Sequence, residues 1–128
     1  MIRQSVYIER YKWLINMCFG SSPLDNREII AFMEENGYIG SFSGERNFGF
    51  TFSNLDKGVS IVAIALADSA REFMKTYVHE IGHVKSHIAQ ACNINPYGEE
   101  IQYLGDDIVG ATWDVAEELL CYRYGTKR

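Results

Sequence analysis

Phe73, Tyr77, Ile81, Val84 and Ile88 recur at spacings of four, four, three and four residues. A stripe of that period commits its segment to an amphipathic α-helix with one buried face. The start of the helix is also written in the chain. Ser69-Ala70-Arg71-Glu72 is a capping box, S-x-x-E, placed just before the apolar run. The spacing predicts a helix over 70–91, with Asn93 able to close it. Inside this helix lies His79-Glu80-Ile81-Gly82-His83.

Residues four apart on a helix are neighbours on one face, about one turn apart. His79 and His83 can therefore direct two imidazoles at a single metal ion. Glu80, beside the first of them, can reach a water bound to that ion. H-E-x-x-H on a helix is the signature of metal-assisted hydrolysis: two histidine ligands for Zn2+ and a glutamate general base. The competing view is that the two histidines are ordinary polar residues on the exposed side. The intervening Glu80, the small Gly82 and the strong helix favour the metal site.

At 128 residues the chain predicts one domain with a real core. It carries 12 Lys and Arg against 17 Asp and Glu, a net charge of −5. That balance offers no electrostatic case for nucleic acid or for an anionic membrane. No run approaches the roughly 20 apolar residues that span a bilayer, and Met1-Ile2-Arg3-Gln4-Ser5 lacks the apolar stretch of a signal peptide. Cys18, Cys92 and Cys121 are odd in number and show no C-x-x-C spacing, which argues against a disulfide framework and fits a cytoplasmic setting. Each lies in or at the end of an apolar, helical-looking stretch, where buried inert thiols are common.

Along the chain, the apolar and aromatic run 6–19 predicts a helix over about 9–18, ended by Gly20. A second helix is expected after Pro23, started by a box at Asp25-Asn26-Arg27-Glu28 and closed by Gly37. The stretch 37–48, with Gly40 and Gly44, is loop-like. Phe48-Gly49-Phe50-Thr51-Phe52 alternates and predicts a strand. Asn54-Leu55-Asp56-Lys57-Gly58 makes a turn, and 59–67 a second strand buried on both faces. This hairpin leads straight into the H-E-x-x-H helix. Asn95-Pro96-Tyr97-Gly98 then breaks the chain, and a last helix runs over about 99–124, with a bend expected at Gly105 or Gly110. The expected fold class is α+β: N-terminal helices, a β-hairpin or small antiparallel sheet, the metal helix and a C-terminal helix.

A catalytic zinc usually has three protein ligands and an open position for water. His87 continues the spacing of four, but eight residues of helix separate it from His79 by about 12 Å, too far for one ion to bind both. A metzincin extension would need Gly at 86 and His at 89; the chain has Ser86 and Ala89. Downstream carboxylates remain. On a helical wheel with Ile101, Leu104, Ile108, Val115 and Leu119 as the core stripe, Glu100 borders the core. Glu99 lies on a second stripe with Tyr103, Gly110 and Trp113. The wheel leaves both open, and acidic residues in a first helical turn are also favoured by the helix dipole. Glu117 and Glu118 lie farther along the same helix.

His79-Glu80-x-x-His83 followed by a helical glutamate resembles the gluzincin arrangement of thermolysin-type and ImmA/IrrE-type metallopeptidases. More narrowly, Val78-His79-Glu80-Ile81-Gly82-His83-Val84 with Gly98-Glu99-Glu100-Ile101-Gln102-Tyr103-Leu104 is similar to small zinc peptidases carried by phages and prophages. Their second segment resembles E-x-x-A-Y. That resemblance implies Glu99 as the third zinc ligand, with Gln102 standing where a small Ala is usual. The gap from His83 to Glu99 is shorter than in thermolysin. The likeness spans 78–108. It implies a minimal zincin-like domain in which an edge strand, here from the 48–67 hairpin, holds an extended peptide by strand addition. It also implies a peptidase with Glu80 as base; a donor must stabilise the oxyanion, and Tyr97, Tyr103 and His87 leave that role unassigned. A chain this short favours one or a few protein substrates. Two other readings stand beside it: a zinc-stabilised interaction module without hydrolysis, and a helical regulator in which the motif is accidental. Glu80 favours chemistry, because a structural site needs no base there.

Overall fold

The computed structural model describes residues 2–20, 26–35 and 48–125. Strand β1 (Ile2–Ile8) turns through a short 3-10 segment at Glu9–Tyr11 into β2 (Trp13–Gly20). Helix α1 (Asn26–Glu35) follows, then β3 (Gly49–Asn54), β4 (Val59–Ala65), α2 (Ala70–Cys92) and α3 (Glu99–Tyr124). The fold is α+β, a four-stranded mixed sheet with three helices among the described residues. None of those helices is long and apolar enough to cross a membrane.

The helix expected over 9–18 is instead a β-hairpin. Its buried residues explain why: Ile8, Trp13, Ile15, Met17 and Phe19 are all buried, and from Trp13 onward they alternate. Period two places them on one face of a strand, whereas a helix would scatter them around its circumference. Lys12, at φ 51°, takes the left-handed conformation that turns the chain between the strands. Cys18 consequently lies in a strand, fully buried, while Cys92 is exposed at the end of α2. No disulfide joins the three cysteines.

The sheet is also larger than the antiparallel hairpin expected. The order is β1-β2-β4-β3, with β1 antiparallel to β2, β3 antiparallel to β4, and β2 parallel to β4. The parallel pair is central because both strands are apolar on both faces. Ile15, Met17, Phe19, Val62 and Ile64 face α2 and α3, whereas Cys18, Ile61, Ala63 and Ala65 face Phe32 and Met33 of α1. Helices thus cover both faces of the sheet, and β3 forms one edge.

The remaining elements match the sequence expectations closely. The side chain of Ser69 accepts from the Glu72 amide, and Asn93, at φ 55°, closes α2. Phe73, Tyr77, Ile81, Val84 and Ile88 are all buried. Gly58, at φ +68°, completes the turn between β3 and β4 with its amide donating to the Asn54 carbonyl. Helix α3, by contrast, runs unbroken through Gly105 and Gly110, where the sequence suggested a bend. Asp25, Gly37 and the expected loop with Gly40 and Gly44 lie outside the described residues.

Ile15 tests the hairpin assignment. It is fully buried between the sheet and α2/α3. Ile15→Ala should cost about 2–5 kcal/mol of unfolding free energy, the usual cost of such a truncation in a core, measured by urea denaturation. A loss below about 0.5 kcal/mol would place residue 15 at the surface.

Candidate functional site

Strand β3 and helix α2 meet through small and polar residues. In β3 the side chains alternate. Phe50 packs toward α1, while Gly49, Thr51 and Ser53 face α2. At each of these positions a residue of α2 stands opposite: Glu80 and Thr76 at Gly49, Glu80 at Thr51, His87 at Ser53. The strand therefore supplies a polar seam along the histidine-bearing side of the helix.

Glu80 is the anchor of this seam. It is only 4% exposed, and a buried carboxylate requires donors. Thr51 Oγ1 donates to its Oε1 at 2.6 Å. The other oxygen lies against Gly49. A methyl group on residue 49 would collide with Glu80 Oε2 and sit 2.7 Å from Thr76 Cγ2. Glycine is required there by close approach, not by its backbone angle.

His79 and His83 are exposed on the adjoining face, one turn apart. Their Nε2 atoms lie 3.1 Å apart, one ring donating to the other, with ring planes at 85°. The spacing of the two imidazole nitrogens is close to that of two zinc ligands. Two zinc–nitrogen bonds of about 2.05 Å at a tetrahedral angle would hold the nitrogens about 3.3 Å apart. Phe48, Gly49, Thr76, His79 and Glu80 line a groove between the start of β3 and α2, so the carboxylate and the first imidazole share one opening.

His87 stands one turn beyond His83, half-buried, with Nδ1 2.6 Å from Ser53 Oγ. Burial, and then the neighbouring His83, hold its pKa below the ordinary histidine value.

The downstream carboxylates lie elsewhere. α2 continues nine residues past His83, about 14 Å of helix, and α3 begins just after the six-residue turn that follows. The α3 chain then runs back along α2, so that Tyr77 and Thr112 share a buried hydrogen bond. Glu99 is exposed at the start of α3, by the far end of α2 from the imidazole pair. Glu100 accepts a 2.7 Å hydrogen bond from Tyr11, near Arg10. That bond and burial push the Tyr11 phenol up to about 12, burial contributing most. Among the described residues no three His, Cys, Asp or Glu side chains gather at one point suited to a metal. His79 and His83 are brought together, and Glu80 shares a groove with His79; Glu99 and Glu100 are not brought to them. Tyr97 and Tyr103 are exposed.

Gly49, Thr51 and Ser53 did not emerge from the sequence as site residues. The signal was present, since small or polar residues alternate with Phe48, Phe50 and Phe52, and such a strand can turn its polar face inward toward a buried charge.

Gly49→Ala forces either Glu80 or the strand to move. It should cost about 1–3 kcal/mol, the range for overpacking, in a denaturation experiment; a cost under about 0.5 kcal/mol would show that Glu80 is not wedged against the strand. In comparisons with known proteins the chain matches no protein-family model, no curated protein and no solved structure.

Proposed function

We propose that the chain is a zinc-dependent peptidase whose metal is held by His79 and His83 and whose general base is Glu80. The observation that carries this reading is the 3.1 Å separation of the two Nε2 atoms beside a buried, hydrogen-bonded carboxylate. Imidazole donors at that spacing suit zinc, and a purely structural site would not need a carboxylate fixed next to them.

Bound zinc supplies acidity to a water and polarises a carbonyl. The chain's own residues supply proton transfer and position. Thr51 holds one oxygen of Glu80 in place, and the carboxylate reaches the groove beside His79. There it takes a proton from water and returns it to the departing amine. Strand β3 is the sheet edge along this groove, which supports an extended peptide as substrate, added alongside the strand. The domain is read as zincin-like on these grounds, in keeping with its resemblance to small phage-borne zinc peptidases.

The alternative is a zinc-stabilised interaction module without hydrolysis, for which two imidazoles fall short of the four protein ligands that a structural zinc site usually has. Glu80→Gln separates the two. It keeps the size of the side chain but cannot accept the proton, so it should lower peptide cleavage by about 10²–10⁴-fold with zinc content and folding intact. Cleavage by Glu80→Gln at the wild-type rate would sink the mechanism; zinc-loaded wild type inert toward a broad peptide library would favour the module.

Elemental analysis of protein purified without a histidine tag should give one zinc per chain, lost in His79→Ala. From its place beyond the far end of α2, Glu99→Ala should retain zinc affinity within about twofold, since surface carboxylates away from a site contribute little. A large loss of zinc in that variant would instead assign Glu99 as the third ligand.

A further inference from the structure

Beside the site runs a chain of three hydrogen bonds that the reading above does not use. Trp13 Nε1 lies 2.8 Å from Ser60 Oγ, Ser60 Oγ lies 2.7 Å from Ser53 Oγ, and Ser53 Oγ lies 2.6 Å from His87 Nδ1. It crosses the sheet from β2 through β4 to β3 and ends on α2. Ser53 and Ser60 are direct partners in the β3–β4 register, so the two hydroxyls share one face.

The first bond of this chain has a fixed direction. An indole N–H can only donate. Ser60 therefore accepts from Trp13. Three bonds need three hydrogens, and the indole and two hydroxyls hold three. With Ser60 donating to Ser53 and Ser53 donating to His87 Nδ1, each bond has one hydrogen and no hydroxyl hydrogen is left over. If His87 Nδ1 carried the hydrogen and donated to Ser53, one hydroxyl hydrogen would have no place in the chain. In the fully reversed order that hydrogen belongs to Ser60, which is 0% exposed; in the mixed order it belongs to half-buried Ser53, whose oxygen then accepts from both Ser60 and His87. An unsatisfied buried hydroxyl is costly.

We propose that Trp13, Ser60 and Ser53 fix His87 as the neutral tautomer with its hydrogen on Nε2, making it a hydrogen-bond donor to an oxygen of the ligand bound beside it at the His79–His83 pair. This rests on the reading of that pair as the metal site. Three histidines at equal spacing offer two pairs, 79 with 83 and 83 with 87. The relay distinguishes them: the one lone pair of the His87 ring is used by Ser53, so His87 has none for a metal. Its Nε2–H is left to meet a carbonyl or carboxylate oxygen. Ser53 and Ser60 are positioning residues, acting on the ligand only through His87.

The test begins on metal-free protein labelled with 15N at histidine. Two-bond proton–nitrogen correlations report each ring's tautomer. His87 should show the Nε2–H pattern, and Ser53→Ala should shift it toward the mixture of a solvated ring while leaving the His79 and His83 signals in place. An Nδ1–H pattern for His87 in the wild type overturns the proposal. On adding zinc, the nitrogens of His79 and His83 should move and those of His87 should keep their tautomer; coordination shifts at His87 also overturn it. With acetohydroxamate as the probe on zinc-loaded protein, His87→Phe should weaken binding about tenfold, the cost of one lost hydrogen bond, at unchanged zinc content, and equal affinity would remove the donor role. A protein that takes up no zinc defeats the metal reading, whereas the tautomer measured without metal still decides the relay.

Discussion

The rotation of α2 about its own axis governs where the chemistry of this chain can occur. Phe73, Tyr77, Val84 and Ile88 are almost fully buried against the sheet and α3. Turning the helix by even one residue's angle would drive a polar side chain into that core, at a cost well above the gain from any single surface contact. Because the apolar stripe is pinned, the direction of every other side chain follows. His79 and His83 face outward past the edge of the sheet, and Glu80 falls on the boundary, under β3. The histidine pair is held by packing that does not touch it.

At that boundary the energetic demand reverses. A carboxylate that is 4% exposed must be met by donors and given room. Thr51 meets one oxygen and the missing side chain of Gly49 makes space for the other. Two residues further on, Ser53 meets His87. One strand thus supplies two hydrogen bonds and one close approach by its period of two while the helix answers with its own period. The apolar stripe supplies the stability on which this polar seam depends.

The parts legible in the sequence were those governed by local rules. The Ser69 cap, the stripe of α2, the turn at Gly58 and the start of α3 at Glu99 depend on neighbours a few residues away, and all stand as expected. The stretch 6–19 misled because an apolar, aromatic run suits either a strand or a helix until its alternation is weighed, and Trp13, Ile15, Met17 and Phe19 settle it by period two. The parallel pairing of β2 with β4 depends on a contact across α1 that no local pattern announces. At the site, His79, Glu80 and His83 were legible because one helix carries all three. Their partners Gly49, Thr51 and Ser53 were not, because strand-to-helix register is a tertiary property. The third ligand expected on α3 was a statement about how two helices dock, and α3 begins beyond the far end of α2.

The parallel seam has a consequence for how the chain reaches this state. Every pair in it, from Leu14 with Val59 to Gly20 with Ala65, joins residues 45 positions apart. On either side the contacts are local: one hairpin from β1 and β2, and a second from β3 and β4 followed by the α2–α3 pair. Closing a long loop costs entropy before it returns any contact, so non-local strand pairing is the slow event in folding. The two local halves can assemble early, and the seam between β2 and β4 then sets the rate. The relay from Trp13 to His87 crosses that seam between Trp13 and Ser60, so Ser60 acquires its indole donor only in that last step.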